Sequence, residues 1–533
     1  MADPRCPPGD VDALGGPVSL CRYDFGPDTT LIPETQRLYL STTGNYDITS
    51  NLTVFARANY TDSDTERDLA AASGLFGVMD NPDTPEEEVA VIYRLNELGP
   101  RTDKFETDAW NLLLGLNGMV RDWEWELGGG GGKIDTKIKG VNGYATEEAV
   151  QEAIIDGSLN VYGDSPNLDK DAISYRTQRD GDSELYYADF KVVGDIVTMK
   201  HGPLSAAFGI GYRDEDFTDK FDKVTESGAV LGIGGISSDG DRQSKSAFAE
   251  FTIPVLRDLE VQLAGRYDHY SDFGSTVNPK LGLRWQPRAN LLLRGSAGTG
   301  FKAPTLQELH TKEIFSFESV YDPVNEEVVE VPTFSRGNKQ LDAEESNNYG
   351  LGVVWDVTSA WDVSVDWWRI KNDDTVTNNP QFYVNNSNLF PENVVRDGDG
   401  NIVFIESPFQ NVAAQKIWGN DVETGVDWTT QRNGDYGLDF SATYLGSYKV
   451  EPVSGAGYDE LAGNDGGPRV RGQSRLNWEK SDYGATLTLN YIGSSDRPDV
   501  NDDISSWTTV DTQLNWMPRS LKGGRVTFGI DNA

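Results

Sequence analysis

Trp361-Asp-Val-Ser-Val-Asp-Trp367 decides the fold class of this chain, because apolar and polar residues alternate at every position. In an extended chain successive side chains point to opposite faces, so tryptophan and valine would share one face and aspartate and serine the other. This period of two predicts a β-strand that lies between an apolar and a polar environment. The segments 436–444 and 483–491 repeat the pattern, and each begins and ends in tyrosine on the apolar face.

The same alternation recurs along the whole chain, in about eighteen segments. Their approximate bounds are 37–48, 52–62, 106–118, 121–137, 184–195, 204–217, 241–254, 259–271, 276–286, 291–302, 344–357, 361–372, 415–431, 436–450, 471–480, 483–492, 506–516 and 524–532. Short turns rich in Gly, Pro, Asn or Asp alternate with long polar insertions, so consecutive hairpins open toward different sides of the sheet. The long insertions lie near residues 63–105, 138–183, 218–240, 303–343, 373–414 and 451–470.

The overall composition narrows the class of protein. The 533 residues include 56 Gly and 11% aromatic residues, and 46 Lys+Arg against 85 Asp+Glu give a formal net charge of -39. So many aromatic side chains argue against a disordered chain, and the strong acidity argues against nucleic acid as a partner. The mean hydropathy of -0.50 is compatible with a membrane barrel, because half of every strand would face a wet lumen.

Two architectures supply so many alternating strands. A soluble propeller or sandwich array would repeat with a fixed period of about 40 to 50 residues, and the sequence shows no such period. A membrane barrel needs strands of about 10 residues that are apolar outside and polar inside, with aromatic residues at both interfaces and long loops on one rim. We therefore predict an all-β fold, a transmembrane antiparallel β-barrel.

Two of the long insertions are predicted to carry short helices on the external side of the barrel. One would begin with the capping box Thr84-Pro-Glu-Glu87 and end at Gly99. The other would run from Thr146 to Gly157, with acidic residues in its first turn and a glycine at its end.

The motifs give little support to an enzyme. Three histidines, His201, His269 and His310, are widely spaced, and neither a nucleophile elbow nor a phosphate-binding loop occurs. The segment 397–401 resembles a calcium loop but lacks its glycine at position six and its glutamate at position twelve, so a hairpin turn is favoured. The five glycines of 128–132 are interpreted as a flexible or bulged strand. We predict no catalytic residue, no metal site and no cofactor.

The two cysteines, Cys6 and Cys21, lie in a Pro/Gly/Asp-rich segment without a nearby histidine. A zinc site would need about four clustered ligands. A loop-closing disulfide in an oxidising compartment is therefore favoured over two free thiols.

A resemblance to a known family rests on an ordered set of motifs. Residues 266–285 and 291–309 resemble the barrel of TonB-dependent outer-membrane receptors, which typically carry R-x-D-x-Y-S-D-F-G, a returning N-P-K strand and G-F-R-A-P-S-L-x-E-L. Segments 337–345 and 419–427 are similar to two further boxes of that family, and the Cys6–Thr35 region is similar to a disulfide-bearing external loop of one branch. The residues that carry the match are Asp268, Asp272, Phe273, Gly274, Asn278, Pro279, Lys280, Gly300, Phe301, Lys302, Ala303, Pro304, Glu308, Leu309, Gly337, Asn338 and Glu423.

The resemblance implies a barrel of about 22 strands with an N-terminal plug inside it. Here about eighteen strands are counted, and neither a plug nor a TonB box is visible. We therefore expect residues 1–533 to be a partial barrel without the plug, with the last family strand incomplete. Coupling to an energising partner would then belong to a larger parent protein.

The function implied by the resemblance is active uptake of a scarce nutrient, such as a ferric siderophore, a vitamin or an oligosaccharide, across the outer membrane of a Gram-negative bacterium. A passive porin-like channel and a surface ligand-binding or adhesion protein are the alternatives. The expected partners are outer-membrane lipid and lipopolysaccharide, the small nutrient, and the TonB complex through the plug. Nucleic acid is not expected as a partner, and the chain is expected to be a monomer.

Two further interpretations concern single side chains. His310 lies between two family boxes, where haem receptors of this family place a ligand histidine, so it is a candidate ligand contact, with an exposed loop residue as the alternative. Aromatic residues such as Trp367, Trp368, Tyr444 and Tyr491 are expected mostly in the two interface belts rather than along a ligand path.

Overall fold

The structure, a computed structural model, describes residues 11–13, 19–21, 26–78, 89–398, 400–452, 455, 457–464, 467–497, 502–518 and 524–532. In chain order the strands are β1 (Val11–Ala13), β2 (Ser19–Cys21), β3 (Glu34–Thr49), β4 (Leu52–Leu69), β5 (Ser73–Val78), β6 (Val89–Arg94), β7 (Arg101–Val120), β8 (Trp123–Asn142), β9 (Thr177–Met199), β10 (Gly202–Phe221), β11 (Ser238–Leu256), β12 (Leu259–Tyr270), β13 (Gly274–Arg288), β14 (Leu291–Lys302), β15 (Ile314–Asp322), β16 (Glu327–Arg336), β17 (Glu344–Thr358), β18 (Trp361–Thr377), β19 (Val394–Arg396), β20 (Ile402–Pro408), β21 (Gln410–Thr430), β22 (Gly434–Glu451), β23 (Asp459–Glu460), β24 (Val470–Lys480), β25 (Tyr483–Ile492), β26 (Ser495–Arg497), β27 (Asp502–Ile504), β28 (Trp507–Trp516) and β29 (Val526–Ile530).

Helices are short and lie in the connections between strands. They are α1 (Glu147–Ile155), α2 (Lys170–Ile173), α3 (Lys223–Glu226), α4 (Leu306–His310) and α5 (Pro380–Asn385), with single 3₁₀ turns at Gly26–Asp28 and Asn96–Leu98. Among the described residues, no helix is both long and apolar enough to cross a membrane.

One antiparallel sheet forms the wall of the molecule, and its strand order is that of a closed barrel. Its long strands are β3, β4, β7–β14, β17, β18, β21, β22, β24, β25, β28 and β29, and the two-residue β23 is added beside β22. Registers connect each long strand with the next from β3 round to β29. β3 and β29 are neighbours where the sheet closes, and every residue of both strands is exposed.

The alternation in the sequence becomes two faces of this wall. On β12, Val261 and Leu263 share one face with the other apolar positions of the strand, and Leu263 is 44% exposed. On the opposite face, Gln262 donates from Nε2 to the carboxylate of Glu250 on β11. Apolar side chains therefore point outward, toward lipid, and polar side chains point into the lumen.

The two rims differ in the length of their connections. On one rim the strands turn within a few residues, as at Asn51 between β3 and β4. On the other rim long connections fold into two compact units, which we call lobe A and lobe B. Lobe A combines the β4–β7, β8–β9 and β10–β11 connections, and its buried apolar cluster contains Ala72, Phe76, Leu95, Leu98, Ala145, Val150, Ala153, Leu159, Ile173 and Leu231.

Lobe B combines the β14–β17 and β18–β21 connections. Its centre is a four-stranded sheet of order β15-β16-β20-β19, in which β16 and β20 run parallel. Helix α5 packs against this sheet, and the buried apolar cluster contains Val320, Val331, Phe382, Tyr383, Val384, Val394 and Ile405. Each lobe has a core of the kind found in water-soluble domains.

The predicted helix from Thr146 is confirmed and the predicted helix ending at Gly99 is wrong. Thr146 caps α1, since its side chain accepts a hydrogen bond from the backbone N–H of Ala149. Val89–Arg94, however, is a strand paired with Ser73–Val78, because its valine, isoleucine and tyrosine residues favour a strand over a helix. The capping box Thr84–Glu87 lies outside the described residues.

The glycine run 128–132 forms a regular part of β8 rather than a bulge, because its registers with β7 and β9 are unbroken. Its glycines make room for neighbouring tyrosines. A Cβ on Gly131 would lie 2.5 Å from Cδ1 of Tyr186, and a Cβ on Gly130 would lie 2.4 Å from the carbonyl oxygen of Leu112. Small residues are therefore needed here for close packing.

The predicted Cys6–Cys21 disulfide lies outside what the structure describes. Cys6 is outside the described residues, and only the backbone of Cys21 is described, in the β1–β2 pair where it is opposite Val11. The disulfide therefore stays a prediction.

Candidate functional site at the barrel mouth

Most of the family-motif residues meet at one place, the lumen side of the mouth below the lobes. Residues 268–274 lie at the end of β12 and the start of β13, residues 300–309 at the end of β14 and in α4, and Gly337 and Asn338 in the return toward β17. Three segments that are distant in sequence thus form one cluster, which we call the mouth cluster.

Arg242 of β11 holds the centre of the mouth cluster. This guanidinium is buried, and its Nη1 donates to the carbonyl oxygen of Pro304 at 2.9 Å. Its Nε lies 3.3 Å from Oε2 of Glu215 and 3.7 Å from Oδ2 of Asp272. The positive charge is therefore compensated by two carboxylates from neighbouring strands and turns, as a buried charge requires.

Aromatic rings and a second ion pair complete the β12–β13 turn. The ring of Tyr270 lies 4.7 Å from that of Phe273 and 5.9 Å from that of Phe301, measured between centroids. Asp268, almost fully buried, accepts hydrogen bonds from Nε and Nη2 of Arg266 at 2.8–3.0 Å. The motif residues fix this turn by packing and charge pairing.

Helix α4 is positioned by its own first residues. Thr305 Oγ1 accepts from the backbone N–H of Glu308 at 3.1 Å, and the Glu308 carboxylate accepts from the N–H of Thr305 at 2.7 Å, which is a capping box. Lys302 lies 2.9 Å from Oε1 of Glu344 on β17 and 3.8 Å from Oε1 of Glu308. The helix is therefore tied to both strands that flank it.

Gly337 and Asn338, which lie where the chain returns from lobe B to β17, complete the cluster. The N–H of Gly337 donates to the carbonyl of Thr311, and the N–H of Asn338 donates to that of Glu308, both at 2.9 Å. The Asn338 side chain donates to the carbonyl of Phe409 at 2.9 Å. A Cβ on Gly337 would lie 2.8–2.9 Å from the backbone of Leu309 and Thr311, so only glycine fits.

The N-P-K segment, residues 278–280 of β13, lies below the mouth cluster, where the pairing between β13 and β14 ends. Pairing between these strands begins at Lys280 and Gly298, directly beyond Pro279, which has no N–H to continue the ladder. Asn278 bridges the gap through its side chain, since Thr299 Oγ1 donates to Asn278 Oδ1 at 3.2 Å. These motif residues thus join β13 and β14 just below the level at which the rings of Tyr270 and Phe301 meet.

Glu423 is not part of the mouth cluster. It lies on the lumen face of β21, opposite Ser364 and Ser441, beside an inner-wall recess of about 560 Å³. Arg294 and Asp366 line the same recess, and Arg294 Nε donates to Asp366 Oδ1 at 2.7 Å. The lumen thus carries a charged wall.

His310 ends α4, and its half-buried imidazole lies against the backbone of β11. A Cβ on Gly240 would be 2.8 Å from Cδ2 of His310. Of the four aromatic residues named from the sequence, Trp367, Tyr444 and Tyr491 lie on the outward face, whereas Trp368 lies on the lumen face beside Gly419. Three of the four therefore lie on the outward face, as a belt position requires, and the belt placement itself stays a prediction.

Polar contacts also anchor the lobes. In lobe A, burial alone would raise the pKa of Asp222. Hydrogen bonds from the Thr225 hydroxyl, the Gln178 backbone N–H and the Tyr175 hydroxyl outweigh the effect of burial and give a pKa of about 2. In lobe B, Arg396 donates to both carboxylate oxygens of the buried Asp322 at 2.7–2.8 Å and holds the pKa of Asp322 below its usual range.

Sequence reasoning missed several members of the mouth cluster. Thr305 could have been found, because Thr305-x-x-Glu308 is a readable capping box. Arg242 and Glu215 gave no local signal, since their partners lie in segments that only the barrel topology brings near. In the part of the chain that the structure describes, no group of His, Cys, Asp and Glu has the arrangement of a metal site.

The family described as "TonB dependent receptor-like, beta-barrel" matches residues 35–533. The chain belongs to the TonB-dependent receptor family. Members of this family are receptors and transporters rather than enzymes. As a member, the chain is a β-barrel of the Gram-negative outer membrane.

Individual relatives are distant. The "Probable TonB-dependent siderophore receptor PirA" of Acinetobacter baumannii is 23% identical over 256 residues, which cover 46% of this chain and 30% of that protein. The crystal structure of the siderophore receptor PirA from the same species is similar with a TM-score of 0.62 and 15% identity, over 93% of this chain and 66% of that one.

The ferripyoverdine receptor of Pseudomonas aeruginosa is similar with a TM-score of 0.59 and 10% identity, over 94% of this chain and 61% of that one. The chain thus spans less than a third of the length of the curated relative and somewhat less than two thirds of these solved receptors. At such identities the structural similarity shows a shared barrel fold.

Proposed function

We propose that this chain forms the barrel of a receptor that takes up a ferric siderophore from the cell exterior, with energy supplied by the TonB complex. The family match over 35–533 carries this proposal. The siderophore class is supported by relatives whose names describe siderophore receptors. A vitamin or an oligosaccharide is the other nutrient class that this family would accommodate.

Three structural features support a path for a polar solute. The lobes stand above the mouth and would offer the first contact, the mouth cluster fixes the rim, and the charged inner wall continues the path downward. Arg294, Asp366 and Glu423 present both signs of charge to the lumen. The proposal assigns residues 1–533 to the barrel and its connections and assigns the gating plug to sequence outside them.

The proposed partners follow from this role. They are outer-membrane lipid and lipopolysaccharide around the wall, a small nutrient ligand at the mouth, and the TonB complex, contacted through the plug of the full receptor. The barrel is proposed to act as a monomer, without a nucleic acid partner or a catalytic step.

The test is deletion of the gene that encodes this chain, followed by uptake of a panel of ⁵⁵Fe-labelled siderophores, labelled vitamins and labelled oligosaccharides. We expect the deletion to abolish uptake of one siderophore class. The full-length gene should restore this uptake, but not in a TonB-deficient strain. Uptake that persists without TonB would indicate a passive channel instead. Ligand binding at the cell surface without any uptake defect would indicate a binding or adhesion protein, and either result overturns the proposal.

A further inference from the structure

The outward face of the barrel changes its charge from one flank to the other just above the aromatic belt. On each strand, this level is marked by the next outward-facing residue after the belt aromatic, two positions closer to the lobes. On β4, β7, β9 and β10 it is acidic, with Asp62 above Tyr60, Asp108 above Trp110, Glu184 above Tyr186 and Asp214 above Tyr212. Between them, β8 carries Lys133, which is ion-paired with Glu184 at 3.0 Å. The opposite flank is basic at the same level, with Arg369 above Trp367 and Lys416 above Trp418.

The basic flank gathers four cations on three neighbouring strands. Lys416 of β21 lies directly opposite Lys371 of β18 and directly opposite Lys449 of β22, so three lysines form one row. Arg369 lies one step below, opposite Trp418. Like charges directly opposite each other destabilise a sheet, so this row favours an anion between its members.

The protein itself neutralises this row only in part. Lys371 lies 2.8 Å from Oδ2 of Asp373, and Lys416 lies 3.7 Å from the ring centroid of Tyr458. Within the described residues, neither Arg369 nor Lys449 has a carboxylate within 4 Å. Glu460, which is opposite Lys449, instead accepts hydrogen bonds from Ser447 Oγ at 2.6 Å and from two backbone N–H groups.

Two adjoining depressions give this flank the shape of a lipid. A recess of about 410 Å³ is lined by Trp367, Arg369, Lys416, Trp418, Ser447 and Lys449. Below it, nearer the middle of the wall, an apolar groove of about 470 Å³ runs over the small residues Gly295 and Ala297 between Leu281 and Leu351. The groove and the recess share Trp367 and Arg369, so they form one continuous surface.

We propose that this surface binds one phosphorylated glycolipid of the outer leaflet. An acyl chain lies in the groove over Gly295 and Ala297, and a phosphate group is held by Arg369, Lys416 and Lys449. The order of the two parts matches a lipid in the membrane, since the apolar groove lies at the depth of the acyl chains and the cations lie at headgroup level. The inference rests on the proposed function in one respect, since it assigns a binding surface to the lipopolysaccharide proposed there as a partner, and it is independent of the proposed nutrient and of transport.

The test measures binding of purified lipid A to the detergent-solubilised protein by native mass spectrometry. The triple variant Arg369→Gln, Lys416→Gln, Lys449→Gln is expected to bind bis-phosphorylated lipid A more than about tenfold more weakly than the natural sequence. Dephosphorylated lipid A should bind both proteins equally weakly. Gly295→Leu, which fills the groove, should weaken binding of both lipids without changing their ratio.

A matched control removes three cations from the acidic flank. This control variant carries Lys133→Gln, Lys137→Gln and Lys245→Gln. It changes the net charge by the same amount as the first triple variant and should leave lipid A binding unchanged. The proposal would be overturned by an equal loss of lipid A binding in the two triple variants, or by equal binding of bis-phosphorylated and dephosphorylated lipid A to the natural protein. If the first variant does not fold, the natural protein decides the question, because specific phosphate binding must weaken between 0.05 and 0.5 M NaCl, whereas binding unchanged by salt contradicts it.

Discussion

The barrel wall and the two lobes use the same apolar residue types against opposite environments. On the wall, Ile210, Val277 and Leu351 are 62–69% exposed, because their side chains face lipid. In the lobes, Phe76 and Ile405 are at most 1% exposed and pack against other protein side chains. Exposure of an apolar side chain therefore has no fixed energetic sign in this molecule, since the sign depends on whether the facing solvent is lipid or water.

The largest effect is expected in the core of lobe A. Phe76→Ala should destabilise the lobe by about 3–5 kcal/mol, because it removes buried ring contacts and leaves a cavity. Hydrogen exchange of the β5–β6 hairpin should accelerate while exchange in the wall strands is unchanged. The matched control is Leu75→Ala, since Leu75 is 61% exposed on the same hairpin and should have little effect. Equal effects of the two variants would show that lobe A has no packed core.

A comparable loss is expected from the buried ion pair of lobe B. Asp322→Ala leaves the Arg396 guanidinium without its carboxylate and should cost about 3–5 kcal/mol of local stability. The exposed pair Arg336–Glu406, with N–O distance 3.5 Å, is the control, and Glu406→Ala should cost at most about 1 kcal/mol. Limited proteolysis of lobe B measures both, and similar protection in both variants would contradict the difference.

The same pair predicts a dependence on pH. Because Arg396 depresses the pKa of Asp322 in the folded lobe, its contribution is complete above the ordinary carboxyl pKa and is lost as the pH falls through the depressed value. Proteolysis of lobe B should therefore rise in acid, and the rise should be absent in Asp322→Ala. A lobe that becomes more resistant in acid would reverse the predicted sign.

On the wall, the expected effect of a new charge depends on the face. Leu263→Arg places a guanidinium toward the middle of the lipid layer and should cost about 2–4 kcal/mol. Gln262→Arg, one residue away, faces the lumen beside the Glu250 carboxylate and should be nearly neutral. Urea unfolding in lipid vesicles measures both free energies, and equal costs would mean that the two faces are not distinct.

The smallest effect concerns the cap of α4 at the mouth. Thr305→Ala removes the hydroxyl that accepts from the N–H of Glu308 and should cost about 1 kcal/mol. Thr305→Ser keeps that acceptor and should be close to the natural sequence. The readout is hydrogen exchange of residues 306–311, and no difference between the two variants would show that the cap does not hold the helix.

The sequence predicted the wall well because each wall strand meets two different solvents. Trp361–Trp367 alternates cleanly and lies in β18 as expected. Strand lengths were underestimated where both faces are wet. β9 is predicted near 184–195 but spans Thr177–Met199. At its mouth end, residues 177–183 are polar on both faces and lose the alternation.

The lobes and the mouth cluster were less accessible to sequence reasoning. The strands of lobe B pair across two separate connections, and the parallel pairing of β16 with β20 leaves no local pattern. The motif residues were found by resemblance, yet their physical roles depend on Arg242 of β11, which donates to the carbonyl oxygen of Pro304 after β14. Such contacts are set by topology rather than by neighbouring residues.

The central claim is that the outward face of this wall contacts lipid while the lumen face contacts water. Nitroxide labels on single cysteines at positions 259–267 of β12, in a Cys6→Ser, Cys21→Ser background reconstituted in lipid vesicles, test it most directly. Collision rates with oxygen should peak at the odd positions, including 263, and those with a water-soluble nickel complex at the even positions. Equal access of both quenchers at odd and even positions would contradict the account.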